Sequence, residues 1–167
     1  MFPFSPEVCH VQKFPMTLPG LQRLEEEHRL LKGTERFEVI RAIAEARTHG
    51  DLSENAEYHA ARERQSFIEG RIQELEEVIG AVEIIDPASI SGAHVKFGAT
   101  VELIDEETEK RSTYQIVGVH EADIKQRRLS VSSPLAKALI GKTIGETVAV
   151  PTPGGDRSYE IVSVKFI

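Results

Sequence analysis

The chain has no tryptophan, one cysteine, and fewer cations than anions, 20 Lys and Arg against 27 Asp and Glu. Each shortage excludes something. A single cysteine, Cys9, cannot close an internal disulfide, so nothing points to an oxidising compartment and the cytoplasm is the expected location. No apolar run approaches the ~20 residues of a membrane-spanning helix. A formal net charge of −7 argues against autonomous binding to duplex DNA, whose phosphates call for many uncompensated Lys and Arg. Any nucleic-acid contact must then be local or lent by a partner. Residues 1–15 hold three of the eight prolines and lack the basic start and apolar centre of a secretory signal, so a flexible N-terminal extension is expected there.

What is present is ordinary in amount and unusual in arrangement. With 167 residues, 40% hydrophobic and 28% charged, the chain can form one sizeable domain or two small ones. From Thr17 a helical pattern begins, with Thr17 a plausible N-cap and Pro19 tolerated in the first turn. Leu21, Leu24, His28 and Leu31 follow a 3,4,3 spacing on one seam. Phe37, Ile40, Ala44 and Arg47 resume it after a one-residue slip, so a kink or break is expected at Gly33-Thr34. A second seam is cleaner: Tyr58, Ala61, Gln65, Ile68, Ile72, Leu75, Ile79 and Val82 alternate by three and four. Two seams joined by a few residues must run antiparallel. The expectation is a helical hairpin over residues 16–86, its second helix running from Ser53 to about Val82 and about 45 Å long at ~1.5 Å per residue.

After Asp86-Pro87 the period shortens. Val95, Phe97, Val101 and Leu103, then Tyr114, Ile116, Val117 and Val119, Leu129 and Val131, Val148 and Val150, and Tyr159, Ile161, Val162 and Val164 read as about five strands. Ser133 to Gly141 has a cap, a first-turn proline and a terminal glycine, hence a short helix. Asp105-Glu106-Glu107 and Pro153-Gly154-Gly155-Asp156 supply turns. The fold class is therefore two-domain α+β, with the second domain over residues 88–167.

The hairpin tip, residues 50–57, concentrates acids: Asp51, Glu54 and Glu57. Asp51 and Glu54 have the spacing of a capping box, with aspartate in place of serine or threonine, and a carboxylate near a helix start is favoured by the dipole. Ser53 is a rival cap, and if it serves, Asp51 and Glu54 are free to point outward. Mg²⁺ is commonly held by one or two carboxylates plus waters and substrate phosphates. Two exposed carboxylates bind it weakly, and a hairpin tip has no walls in which to enclose a nuclease site, so the acids need a partner to complete it. A His49, His59 and carboxylate zinc site is a weaker reading, since no cysteine is near. Arg47 and Arg62 lie about 6 and 12 Å of helix rise behind the acids. They can meet a phosphodiester backbone, or be solvated residues paired weakly with Glu45 or Glu63.

Gly50-Asp51-Leu52-Ser53-Glu54-Asn55-Ala56-Glu57-Tyr58-His59-Ala60-Ala61-Arg62-Glu63, with Met16 to Gly20 upstream and Ser132 to Ala136 and Thr152 to Gly155 downstream, resembles the GreA/GreB family of bacterial transcript cleavage factors from about Val11 to Ile167. The resemblance implies an N-terminal antiparallel coiled coil and a C-terminal FKBP-like domain. It implies RNA polymerase as partner, with the globular domain docked at the rim of its secondary channel and the coiled coil passed down it. Asp51 and Glu54 match the acids that help the polymerase hold a second Mg²⁺, so that its own active site cleaves the 3′ end of backtracked RNA. Arg47 and Arg62 match a basic patch that guides that RNA. The protein is thus expected to be a cofactor of a hydrolase and not an enzyme. The acidic balance fits the branch of the family that removes short fragments. His120-Glu121-Ala122-Asp123 departs at its first residue from the more acidic form expected in the family.

Two other classes remain open at this point. A coiled-coil regulator that blocks the channel without cleavage predicts slower nucleotide addition and no fragments. Prolyl isomerisation by residues 88–167 lacks a recognisable aromatic-lined pocket in a chain without tryptophan, and fold alone does not carry function.

Overall fold

A computed structural model describes residues 12–167. Of the extension expected over 1–15, residues 1–11 lie outside the described residues, and Phe14 and Pro15 belong to a strand, β1 (Phe14–Met16). Helix α1 (Leu18–Leu30) follows, capped by Thr17, whose hydroxyl accepts from the Gly20 amide, with Pro19 in the first turn where it costs no hydrogen bond.

The fault expected at Gly33-Thr34 is a π-helical turn, Leu31–Glu35, in which the Arg36 amide donates to the Leu31 carbonyl five residues back. A π turn accommodates one additional residue. The register therefore advances, and α2 (Arg36–Ala46) buries Val39, Ile43 and Ala46 instead of the expected Phe37, Ile40 and Ala44. Phe37 is 64% exposed and Ile40 46% exposed. The slip is real and runs in the opposite direction from the one the spacing suggested.

The second leg, α3 (Ala56–Gly80), has 25 residues, hence about 37 Å at 1.5 Å per residue, shorter than the 45 Å expected. It begins at an Asn55 cap and not at Ser53. It ends early because the chain turns into β2 (Val82–Ile84), which pairs in parallel with β1, Phe14 opposite Val82 and Met16 opposite Ile84. That two-stranded pair ties the start of the first leg to the end of the second. Between the legs, Leu24, Leu31, Val39 and Ile43 pack against Ile68, Ile72, Leu75 and Val78, with Tyr58, Ala61 and Ile79 half-buried at the margins. At ~1.5–3 kcal/mol per buried aliphatic side chain, this seam holds the hairpin. Ion pairs between the legs, Arg36 to Glu69, Lys32 to Glu76 at 2.8 Å and Arg71 to Glu27 at 2.7 Å, flank it. Such surface pairs add little energy but favour one register over its neighbours.

The C-terminal domain holds the expected five strands, β3 (Ala99–Asp105), β4 (Arg111–Val117), β5 (Arg128–Ser130), β6 (Thr147–Thr152) and β7 (Gly155–Phe166). Their order in the sheet is β5-β4-β3-β7-β6, antiparallel except for the β4–β5 pair. Helix α4 (Pro134–Leu139), capped by Ser133, contributes Ala136 and Leu139 to a core with Val101, Leu103, Ile116 and Ile161. Val95 is buried in that core without belonging to a strand, and Val119 sits in a short 3₁₀ turn, Val119–Glu121, with 54% exposure. The fold is two-domain α+β, as the pattern of periods implied.

Among the described residues no helix is long and apolar enough to cross a membrane. The register assignment has a direct check. Leu75→Ala, at a side chain only 1% exposed, is expected to cost about 2–5 kcal/mol in urea unfolding, whereas Phe37→Ala is expected to cost under about 0.5 kcal/mol. The reverse ranking would restore the alternative seam.

Candidate functional site

The far end of the hairpin is built by three local devices. The α2 leg leaves through a 3₁₀ turn, Arg47–His49, and Gly50 takes φ +114°, a conformation that L side chains rarely adopt, to reverse the chain. Asp51 then folds its side chain back: its Oδ1 accepts from the Ser53 amide at 3.0 Å and from the Ser53 hydroxyl at 2.9 Å. Asn55 closes the tip. Its Oδ1 accepts from the Tyr58 amide at 3.1 Å, capping α3, while its Nδ2 donates to the Ala46 carbonyl at 2.6 Å, the end of α2. One amide side chain thus terminates one leg and starts the other.

Asn55 is the residue that the sequence reading missed. With Asp51 and Ser53 both offering cap chemistry, Asn55, two residues beyond Ser53, was hidden, although asparagine ranks with serine and aspartate as an N-cap. The correction frees the acids. Neither Asp51 nor Glu54 caps the helix, and Glu54 is exposed to solvent, with none of the described hydrogen bonds reaching its carboxylate. Asp51 and Glu54 share the wall of an open concavity of about 610 Å³ with Glu45, His49, Asn55, Ala56 and Glu57. The backbone amide of Ser53, then its hydroxyl, hold the Asp51 carboxyl below the usual aspartate range. It is therefore ionised at neutral pH.

Does this set of donors fit a divalent cation? Asp51 commits Oδ1 to Ser53 and keeps Oδ2 clear of the described hydrogen bonds, and Glu54 keeps both oxygens. Two carboxylate ligands in open solvent match what Mg²⁺ takes from a protein when waters and phosphates complete its octahedron. A closed site does not form: among the described residues no three His, Cys, Asp or Glu side chains are grouped to hold a metal ion. His49 lines the tip, whereas His59 turns its Nε2 to the Ser53 carbonyl at 3.3 Å and its ring edge-on to Tyr58.

Arg47 lies over the Tyr58 ring, 5.8 Å from its centroid, a cation–π contact. Arg62 donates to Gln65 Oε1 at 2.8 Å. Neither is ion-paired among the described residues, and the weak pairs with Glu45 or Glu63 do not form. Arg64 is paired, with Glu35 at 3.4 Å and Glu38 at 4.0 Å. Of the arginines near the tip, the two in the basic patch implied by resemblance keep their charge available.

Comparison with known proteins places this geometry in context. The family described as "Transcription elongation factor, N-terminal" matches residues 14–84, and "Transcription elongation factor, GreA/GreB, C-term" matches residues 90–166. The transcription elongation factor GreA of Acidiphilium cryptum is 74% identical over 156 residues, covering 93% of this chain and 99% of that protein. Those of Cereibacter sphaeroides and Rhodospirillum rubrum are 62% and 60% identical, covering 94% and 93% of this chain and 100% and 99% of those proteins. Among solved structures, GreA factor homolog 1 (Gfh1) of Thermus thermophilus is 26% identical, covers 92% of this chain and 99% of that chain, and has a TM-score of 0.43.

Two measurements test the tip. In an NMR titration the Asp51 carboxyl should protonate below the ordinary aspartate midpoint, and Ser53→Ala, which removes the hydroxyl but not the amide, should raise it part of the way. Because the folded value is depressed, the turn keeps this contribution above the unfolded pKa and loses it as pH falls through the folded one. Asn55→Ala should cost about 1 kcal/mol in thermal unfolding and raise amide exchange around Ser53 to Tyr58. Unchanged exchange would mean that Asn55 does not close the tip.

Proposed function

We propose, from the premise that this chain belongs to the GreA/GreB family of transcription elongation factors, that it carries Asp51 and Glu54 into RNA polymerase, where they complete a metal site and stimulate cleavage of the RNA 3′ end in backtracked complexes. The observation that carries this reading is the surplus of uncommitted carboxylate at the apex of the hairpin: Asn55 does the capping, so Asp51 Oδ2 and both Glu54 oxygens stay clear of the described hydrogen bonds. Bacterial cytoplasm is the corresponding location.

Each group has a defined part. The C-terminal domain docks at the rim of the polymerase secondary channel. The rod reaches inward, its α3 leg alone about 37 Å long, and the seam keeps it straight enough to deliver the tip. Asp51 offers Oδ2 and Glu54 a carboxylate oxygen to a Mg²⁺ shared with the polymerase. When bound, such a second metal ion activates the attacking water and neutralises charge on the phosphodiester. The Asp51–Ser53 turn holds the carboxylate ionised and fixes its direction before the partner is met. Arg47, oriented on Tyr58, and Arg62 meet the phosphates of the extruded RNA. The hydrolytic centre belongs to the polymerase, and this protein supplies ligands and no complete site of its own.

Stalled, backtracked polymerase should release 3′ fragments when the protein is added. Asp51→Ala with Glu54→Ala should lower that rate by at least about 10²-fold without weakening binding. Fragment release at the wild-type rate by the double variant would end the role assigned to the acids. Slower nucleotide addition with no fragments from the wild-type protein would favour the channel-blocking alternative.

A further inference from the structure

A buried acid lies at the other end of the rod. Glu121, 4% exposed, reaches out of the C-terminal domain and onto the first turn of α1. Its Oε2 accepts from the Thr17 amide at 3.1 Å and from the Gly118 amide at 3.1 Å, its Oε1 accepts from the Thr17 hydroxyl, and the Arg23 guanidinium stands 3.8 Å away. A buried carboxylate is tolerable only when its oxygens are satisfied in this way.

The arrangement completes a motif that the sequence leaves half empty. In a capping box the N-cap Ser or Thr is met by a Glu or Gln three residues on, whose carboxylate or amide bonds the N-cap backbone N–H. Here the N-cap is Thr17, and three residues on stands Gly20, with no side chain to offer. Glu121, 104 residues away in the chain, provides the missing acceptor to the same N–H. It does so in the space that a side chain at position 20 would fill: a Cβ on Gly20 would overlap the Glu121 carboxylate, and one on Gly118 would overlap the Pro15 carbonyl oxygen. Phe14 and His120 close the rim of the joint edge to face, 5.0 Å between centroids. His120, where the sequence departs from the family's acidic form, is thus a joint residue, packed against the rod's own first strand.

We propose that Glu121 is a positioning residue: by supplying the second half of the α1 capping box from the C-terminal domain, it makes the helix start and the orientation of the rod a single hydrogen-bonded unit. Because β1 and β2 already tie both legs together beside this point, fixing the start of α1 fixes the direction of the whole hairpin, and with it the aim of Asp51 and Glu54. The consequence for cleavage rests on the function proposed above; the consequence for orientation does not.

The test separates the two. In the full chain with Cys9→Ser, spin labels at Thr48→Cys near the tip and Lys137→Cys in the globular domain report the distance distribution between them. Gly20→Glu combined with Glu121→Ala restores a local capping box while removing the cross-domain one, so α1 should remain helical by circular dichroism. The expected result is a distribution at least twice as wide as the wild type's and a rise of tenfold or more in the protein concentration needed for half-maximal RNA cleavage. Glu121→Gln, which keeps the volume and one acceptor, should fall between the two and guards against loss of folding. Asp51→Ala with Glu54→Ala should abolish cleavage at an unchanged distance, which separates failure of the tip from failure of the joint. A narrow, wild-type distribution in the combined variant would overturn the positioning role. A broad one with undiminished cleavage would overturn its functional consequence.

Discussion

The apolar seam between the two legs is the interaction on which everything else depends. Leu24, Leu31, Val39 and Ile43 meet Ile68, Ile72, Leu75 and Val78 over the length of the hairpin. A tip that carries chemistry to another molecule must resist bending and sliding, and neither charge pairs nor capping provide that. The seam also explains why the π turn is tolerated. One residue too many for an uninterrupted helical stripe is absorbed at Leu31–Glu35, so that Leu31 before it and Val39 after it both face α3. A straight α-helix through the same sequence would rotate Val39 and Ile43 out of the seam. The result is a continuous core across the interruption.

The two ends of the rod show opposite uses of carboxylate. At the joint, Glu121 is buried and every oxygen is engaged. At the tip, Asp51 and Glu54 are exposed, and only one of their four oxygens is engaged, in the Asp51–Ser53 turn. A satisfied buried carboxylate fixes geometry, and an unsatisfied exposed one remains available for a cation or a partner. Asn55 makes the difference possible, because an amide can accept from one leg and donate to the other, as no carboxylate can.

Much of this was legible in the sequence. The clean 3,4 alternation from Tyr58 to Ile79 located the second leg, the change of period after Asp86 marked the passage from helix to sheet, and alternation with turn residues located the five strands. The fault at Gly33-Thr34 was visible but not its direction, because a spacing of apolar residues is blind to whether a turn gains or loses one, and Phe37 and Ile40 formed a tempting false seam. The cap at Asn55 was masked by Asp51 and Ser53, two neighbours with the same chemistry. The β1–β2 pair and the Glu121 joint were invisible for a different reason. Both unite residues far apart in the chain, Phe14 with Val82 and Thr17 with Glu121, and local pattern holds no record of such pairing.

In the proposed function the tip acids act as metal ligands inside the polymerase and not as plain negative charge. The Mg²⁺ dependence of RNA cleavage tests it most directly. With the wild-type protein at saturation, half-maximal cleavage should need less Mg²⁺ than the polymerase alone requires. Asp51→Asn, which keeps the side-chain shape and loses the charge, should move that midpoint back up, and excess Mg²⁺ should recover part of the rate. A midpoint that is the same with the wild type, with Asp51→Asn and with no added protein would contradict the account.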